Sequence, residues 1–252
     1  MRLKDRVAVI TGAGSGIGAA SALAMAREGA RVVVADIDEV GARATAAAIE
    51  KEGGHALAVR ADVSRLTDND TLVHRAVALW GRLDIFYANA GVPQPQSSIA
   101  SVDEAIIDHV LAVNVKGVLL GARAALPIMK KARRGVFLIT ASTAAIRPRG
   151  GHVYAASKGA VVTLTGSLAM EAAPYGVRVV AIAPVATDTP MLAQFAGKGG
   201  MSEEMLARTV ATVPLGRLNQ PEDLARTAVF LASDDAAMIT GSCIEVDGGR
   251  CI

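Results

Sequence analysis

Thr11-Gly12-Ala13-Gly14-Ser15-Gly16-Ile17-Gly18 is the stretch from which the fold of this chain is read. The apolar run Val7-Ala8-Val9-Ile10 precedes it and Ala19-Ala20-Ser21-Ala22-Leu23-Ala24-Met25-Ala26 follows, so a buried strand enters a glycine-rich turn and a helix leaves it. Glycines let the backbone turn sharply and approach a pyrophosphate closely, while the unpaired N–H groups and positive end of the new helix attract its charge. A second apolar run, Arg31-Val32-Val33-Val34-Ala35, ends in Asp36. That is close to the roughly 20-residue offset at which an acidic side chain meets a ribose hydroxyl. Gly12, Ser15, Gly16, Gly18 and Asp36 are therefore candidate dinucleotide contacts.

The unit repeats outward from there. Residues 38–52 carry apolar side chains at helical spacing and stop at Gly53-Gly54, a C-terminal stop signal. A strand over His55–Arg60, a helix over Thr67–Trp80 and a strand over Leu83–Ala88 follow, the last closing in Asn89-Ala90-Gly91. Further strands are predicted at Gly135–Thr140, Val177–Ile182 and Cys243–Val246, and a long helix from Val153 to about Ala173. Strands alternating with helices specify a parallel sheet whose right-handed crossovers place helices on both faces. The expected fold is α/β, Rossmann-like and doubly wound, with seven parallel strands in a single domain over residues 1–252. In that order strands one and four are neighbours, so Asn89 and Gly91 face the same crevice as the glycine loop, where ligands bind in open sheets.

Composition narrows the function. Apolar residues make up 52% and aromatics only 3%, which suits close packing of helices on a buried sheet. The 26 basic and 24 acidic residues are mixed along the chain, leaving no basic stripe for nucleic acid. Met1–Arg6 runs straight into the first strand without a signal-type apolar segment, and no uninterrupted run approaches the roughly 18 apolar residues of a membrane span. A cytoplasmic protein is expected. Cys243 and Cys251 are too few for a disulfide framework, and the histidines at 55, 74, 109 and 152 form no metal-binding pair, so no catalytic metal is expected.

Tyr154 and Lys158 lie four apart on one helix and rise on the same face. A free tyrosine, with a pKa near ~10, is a poor base at neutral pH, but a fixed ammonium nearby favours its phenolate. Ser142 ends the strand leading to the same crevice, where its hydroxyl can donate to a carbonyl oxygen or developing alkoxide. Asn114, an amide among apolar neighbours, must find hydrogen-bond partners if it is buried.

With these elements in place, the sequence resembles the short-chain dehydrogenase/reductase family over essentially its whole length. The residues that carry the resemblance are Thr11-Gly12-x-x-x-Gly16-x-Gly18, Asp62, Asn89-Ala90-Gly91, Asn114, Ser142, Tyr154-x-x-x-Lys158, Pro184 with Thr189, and Val246-Asp247-Gly248-Gly249. The resemblance implies Tyr154 as general acid/base, Ser142 orienting the substrate oxygen, and Lys158 lowering the tyrosine pKa while holding the nicotinamide ribose. Asn114 would support a water-linked proton relay. It further implies cofactor contacts from Ile17 at the pyrophosphate loop, Asp62 and Val63 at the adenine, Ala90 between Asn89 and Gly91, and Pro184, Thr187 and Thr189 near the carboxamide. Asp36 points to NAD rather than NADP. Departures are Ala88 and Val180 where asparagines are frequent, Val185 in place of a glycine, and a Ser142 to Tyr154 spacing one residue shorter than is common. Val185 and the shorter loop are expected to reshape the substrate pocket.

The resemblance also places a substrate-covering lid at Thr189–Ser202, where Met191, Leu192 and Phe195 predict an apolar pocket and an uncharged substrate. The implied activity is NAD(H)-dependent interconversion of a secondary alcohol and a ketone. Alternatives are an NADP(H)-dependent 3-oxoacyl-carrier-protein reductase and a non-catalytic dinucleotide-binding sensor. The partner is a small molecule, with neither nucleic acid nor membrane. The weakly charged run Gly159–Met170 suits self-association, and similar proteins suggest a homotetramer.

Overall fold

The computed structural model describes residues 1–95, 97–148, 151–197 and 200–252. The loop expected at residues 146–151 and the glycine interruption at 197–200 fall partly outside them. Seven strands form one all-parallel sheet in the order β3-β2-β1-β4-β5-β6-β7. In chain order they are β1 Val7–Thr11, β2 Arg31–Asp36, β3 His55–Arg60, β4 Ile85–Ala88, β5 Gly135–Thr140, β6 Val177–Pro184 and β7 Cys243–Val246. The fourth strand starts two residues later than the apolar pattern predicts. There Asp84 instead accepts the Val7 N–H at 2.9 Å and pairs with Arg82, so the chain anchors the start of β1 before it joins the sheet.

Helices α1 Gly16–Arg27, α2 Glu39–Lys51, α3 Leu66–Trp80, α4 Glu104–Leu111, α5 Gly117–Ala132, α6 His152–Ala172, α7 Pro190–Gln194, α8 Glu203–Val210 and α9 Pro221–Ala232 surround it. Two cores result because the strands are buried on both faces. One face packs Leu72, Ala76, Ala122, Met129, Val161 and Ala169 from α3, α5 and α6 against the sheet. The other packs Ala22, Met25, Ala42, Ile49, Leu224 and Ala228 from α1, α2 and α9. Side chains of odd and even strand positions thus enter different cores, as the period of a strand requires.

Between α4 and α5 the helix widens into a π-turn over Ala112–Lys116 that carries Asn114. The combined helix Glu104–Ala132 is long and apolar enough, by length and composition alone, to cross a membrane, which a search for uninterrupted apolar runs does not reveal. In the fold it packs on β4, β5, α3 and α6.

Candidate active site

The glycine-rich turn sits where β1 ends and α1 begins, and its glycines are sterically required. A Cβ on Gly18 would lie 2.1 Å from the Gly12 carbonyl oxygen. Gly12, at φ +63°, packs against the Ala90 backbone, where a Cβ would lie 2.8 Å from Ala90 Cα. Ser15, the residue before α1, makes no side-chain capping bond, so its hydroxyl leaves the first-turn N–H groups to a ligand. This cradle and the acids beside it fit a dinucleotide.

Asp36 ends β2 at the rim of the crevice. Its Oδ2 accepts the Gly14 N–H at 2.8 Å and its Oδ1 the Asp38 N–H at 2.9 Å, so the carboxylate is held in place by the loop it serves. Gly14 is therefore a site residue that the glycine spacing alone did not single out. Asp62 is held by the Ser64 hydroxyl and N–H, which keep its carboxyl below the usual carboxylate range. Asn89 borders the crevice, but its side chain serves the frame: the amide donates to the Thr11 and Gly12 carbonyls, and Oδ1 accepts from the Thr140 hydroxyl. Thr11 Oγ1 accepts in turn from the N–H groups of Asn89 and Ala90. These bonds lock the ends of β1, β4 and β5 together.

Ser142, Tyr154 and Lys158 meet on the other side of the crevice, all buried. Ser142 Oγ accepts the Ala144 N–H at 3.1 Å, which leaves its hydroxyl hydrogen for the Tyr154 oxygen. Lys158 Nζ donates to the Thr140 carbonyl at 2.7 Å and stands 5.7 Å from the Tyr154 ring centre. Burial without a carboxylate partner lowers the Lys158 pKa to about 8. Burial also raises the Tyr154 pKa, only partly offset by Ser142. The low phenol pKa expected from the Tyr-x-x-x-Lys spacing is thus not a property of the protein alone. Desolvation outweighs an ammonium that is bonded to a carbonyl rather than to the phenol.

Asn114 is buried and uses both of its donors and one acceptor site: Oδ1 accepts from Val92 N–H at 2.8 Å, and the amide donates to the Val92 carbonyl and the Ser157 hydroxyl. The absent side chain of Gly91 leaves a gap bordered by both Asn114 and Lys158, since a Cβ there would lie 3.3 Å from Asn114 Oδ1 and 3.5 Å from Lys158 Nζ. Pro184 ends β6, and Thr187 and Thr189 follow it along the same wall, with Thr187 bonded to the Val185 carbonyl at 2.9 Å. Val185 takes its place as an extension of the strand, donating to the Val246 carbonyl at 3.2 Å.

A single cavity of about 900 Å³ joins the glycine cradle, Asp36, Asp62, Val63, Ser142, Tyr154, Lys158 and Thr189. Its outer wall carries Met191, Leu192 and Phe195 from the segment read as a lid, and the Phe195 ring meets Tyr154 edge-on at 5.0 Å.

Gln94 is the residue the sequence reading missed. It is 1% exposed, and its Oε1 accepts the N–H of Val153 at 2.7 Å and of Tyr154 at 3.1 Å, at the start of α6. Gly151, the residue before the helix, has no capping side chain and lies so close that a Cβ would reach 2.3 Å from Gln94 Oε1. A side chain from the loop after β4 thus caps the helix that bears the tyrosine, nearly sixty positions along the chain. No local signal reports such a cap. Gln94→Leu leaves two buried donors unpaired, at a cost of about 1–3 kcal/mol for each unsatisfied group. We expect it to lower both Tm and turnover, and Gln94→Glu, which keeps the acceptor, to restore most of each. Unchanged melting and kcat in the leucine variant refute the assignment.

Glu245, Asp247 and Cys251 bring three donor atoms within 4.8 Å of one another near the C-terminus. Asp247 spends its oxygens on the N–H groups of Gly249 and Cys251, and burial with the two carboxylates pushes the Cys251 thiol up to about 11.

Comparison with known proteins agrees with this geometry. A family model described as enoyl-(acyl carrier protein) reductase matches residues 12–250. The 4-formylbenzenesulfonate dehydrogenase TsaC1/TsaC2 of Comamonas testosteroni is 41% identical over 99% of each chain. The cis-4-hydroxycyclohexanecarboxylate dehydrogenase of Sinomonas cyclohexanicum is 40% identical over 97% of this chain and 96% of its own. A solved 3-ketoacyl-(acyl-carrier-protein) reductase from Brucella melitensis, complexed with NADH, superposes with a TM-score of 0.92 at 42% identity, covering 99% of this chain and 100% of that one. The chain belongs to the short-chain dehydrogenase/reductase family. It is accordingly an oxidoreductase of a family that binds a nicotinamide dinucleotide and acts on small molecules.

Proposed function

We propose that this protein is an NAD(H)-dependent enzyme that interconverts a secondary alcohol and a ketone. The observation that carries this reading is the convergence of Ser142, Tyr154 and Lys158 on a cavity that also contains the glycine cradle and Asp36. When bound, the nicotinamide accepts the hydride from the alcohol or supplies it to the ketone. In the oxidation direction Ser142 holds the alcohol oxygen while Tyr154 takes the hydroxyl proton, and in reduction Tyr154 returns it. Lys158 supplies positive charge beside the phenol, and a water in the gap beside Gly91 passes the proton onward past Asn114. Gly12, Ser15, Gly16, Ile17 and Gly18 hold the pyrophosphate, Asp36 the adenosine ribose, Asp62 and Val63 the adenine, and Pro184, Thr187 and Thr189 the carboxamide. Asn89, Ala90 and Gly91 form the floor between the two halves.

A coupled screen of alcohols with NAD⁺ and ketones with NADH, read at the cofactor absorbance, tests the reading directly. Absence of any turnover would leave the dinucleotide-binding sensor. The alternative of 3-oxoacyl-carrier-protein reduction draws on the name of the Brucella melitensis relative, and equal or better use of NADPH on such a substrate would favour it.

The proton-carrying role of Tyr154 sets the sign of the pH dependence, and burial of its phenol moves the change towards higher pH. Oxidation needs the phenolate and should accelerate as pH rises, whereas reduction needs the phenol and should slow. Profiles that are flat in both directions between roughly pH 6 and 10 contradict Tyr154 as the proton carrier.

A homotetramer acting in the cytoplasm belongs to the same proposal. On α6, Gly159, Thr163, Gly166 and Met170 follow one helical face. A Cβ on either glycine would meet nothing within 4 Å, and Met170 is 81% exposed. Such a face suits close approach of a second helix. Light scattering at micromolar concentration should give four subunits, and a monomer rules the assembly out.

A further inference from the structure

The charges along the cavity are segregated. Its two carboxylates, Asp36 and Asp62, both belong to the end formed by β2 and β3, where the glycine cradle lies. Elsewhere in the wall the charged groups are Lys158, Arg147, Arg208 and Arg250, and among the described residues no other carboxylate lines the cavity. Arg147 follows the short 3-10 turn Thr143–Ala145 that starts at Ser142. Its backbone N–H is held by the Thr143 carbonyl at 2.9 Å, so the residue is tied to the turn that positions the Ser142 hydroxyl. Its guanidinium is exposed and has no ion pair among the described residues. Arg208 comes from α8 and pairs with Glu204 at 2.6 Å, but both side chains are about three-quarters exposed, at 77% and 75%. A pair so exposed is worth little and can be exchanged for a better acceptor. Val185, Met191, Leu192 and Phe195 line the same cavity and give it an apolar surface.

We infer that the substrate is an alcohol or ketone with an apolar body and an anionic group, a carboxylate or sulfonate, at the end remote from the reacting carbon. Arg147 is the principal contact, with Arg208 reinforcing the positive field. This deepens the proposed function and rests on it. The apolar wall packs the body of the substrate, and planar guanidinium groups bind an oxyanion through paired N–H donors. A cleft lined by one sign of charge concentrates that field. The expectation of an uncharged substrate considered only Met191, Leu192 and Phe195, because the arginines lie far apart in sequence.

The test uses benzoate and its neutral isostere benzamide as probes, titrated calorimetrically into the protein saturated with NADH. The unmodified protein should bind benzoate about tenfold or more tightly than benzamide, as expected for one charge-assisted contact. The ratio should fall towards one in Arg147→Gln and at high salt, whereas Arg147→Lys should retain part of it. Equal binding of the two probes overturns the inference. So does failure to bind either, or a benzoate preference that survives in the Arg147→Gln, Arg208→Gln double variant. Failure of NADH itself to bind would instead count against the proposed function, so the two can be told apart.

Discussion

Tyr154→Phe should reduce kcat by about a hundredfold to ten-thousandfold, the range that removal of a general acid/base produces. The substitution deletes one oxygen and keeps the ring, so the edge contact with Phe195 at 5.0 Å and the packing around α6 survive. What is lost is the hydroxyl that Ser142 addresses and that, in the proposed mechanism, exchanges a proton with the substrate oxygen. NADH affinity should stay close to that of the unmodified protein. Lys158→Ala should damage both turnover and cofactor binding, because it removes a buried cation and leaves the Thr140 carbonyl without its donor. A phenylalanine variant with a substantial fraction of normal activity would falsify the assignment of the proton carrier.

Cofactor choice should show the second large effect. In the proposed binding mode Asp36 would face the additional phosphate of NADP, and like charges about 4 Å apart at an effective dielectric near 20 repel by roughly 4 kcal/mol, or about a thousandfold in affinity. Movement and counter-ions reduce this, so a preference for NAD(H) of about a hundredfold in kcat/KM is the expected result. The surroundings offer little relief: Arg60 is the register partner of Asp36 on β3 but does not line the cavity, whereas Ile37 does. Asp36→Ala with Ile37→Arg should therefore move the preference towards NADP(H). The alanine also removes the acceptor of the Gly14 N–H, so this variant should lose some affinity for both cofactors. Asp36→Asn, which can keep that acceptor while losing the charge, separates loop support from repulsion. Equal kcat/KM for the two cofactors in the unmodified protein contradicts the assignment.

Much of this was legible in the chain itself. The strand and helix order follows from local periodicity and from glycines whose placement leaves the backbone few choices. Seven strands were expected and seven are found, with small shifts at the ends of β1, β4 and β6. The approach of Tyr154 to Lys158 is likewise local, since four residues of helix bring two side chains to one face. The tertiary structure decided what depends on groups distant in sequence. It turned the Asn89 side chain into a tie between strands, and it raised the Tyr154 phenol by burying it. It brought Gln94 to the start of α6 and put Arg147, Arg208 and Arg250 in the lining of one cavity. Periodicity records which face of an element is buried, but not which side chain from another element will meet it there. Hydrogen-bond partners, desolvation and the field inside a cavity are fixed only when the packed elements come together.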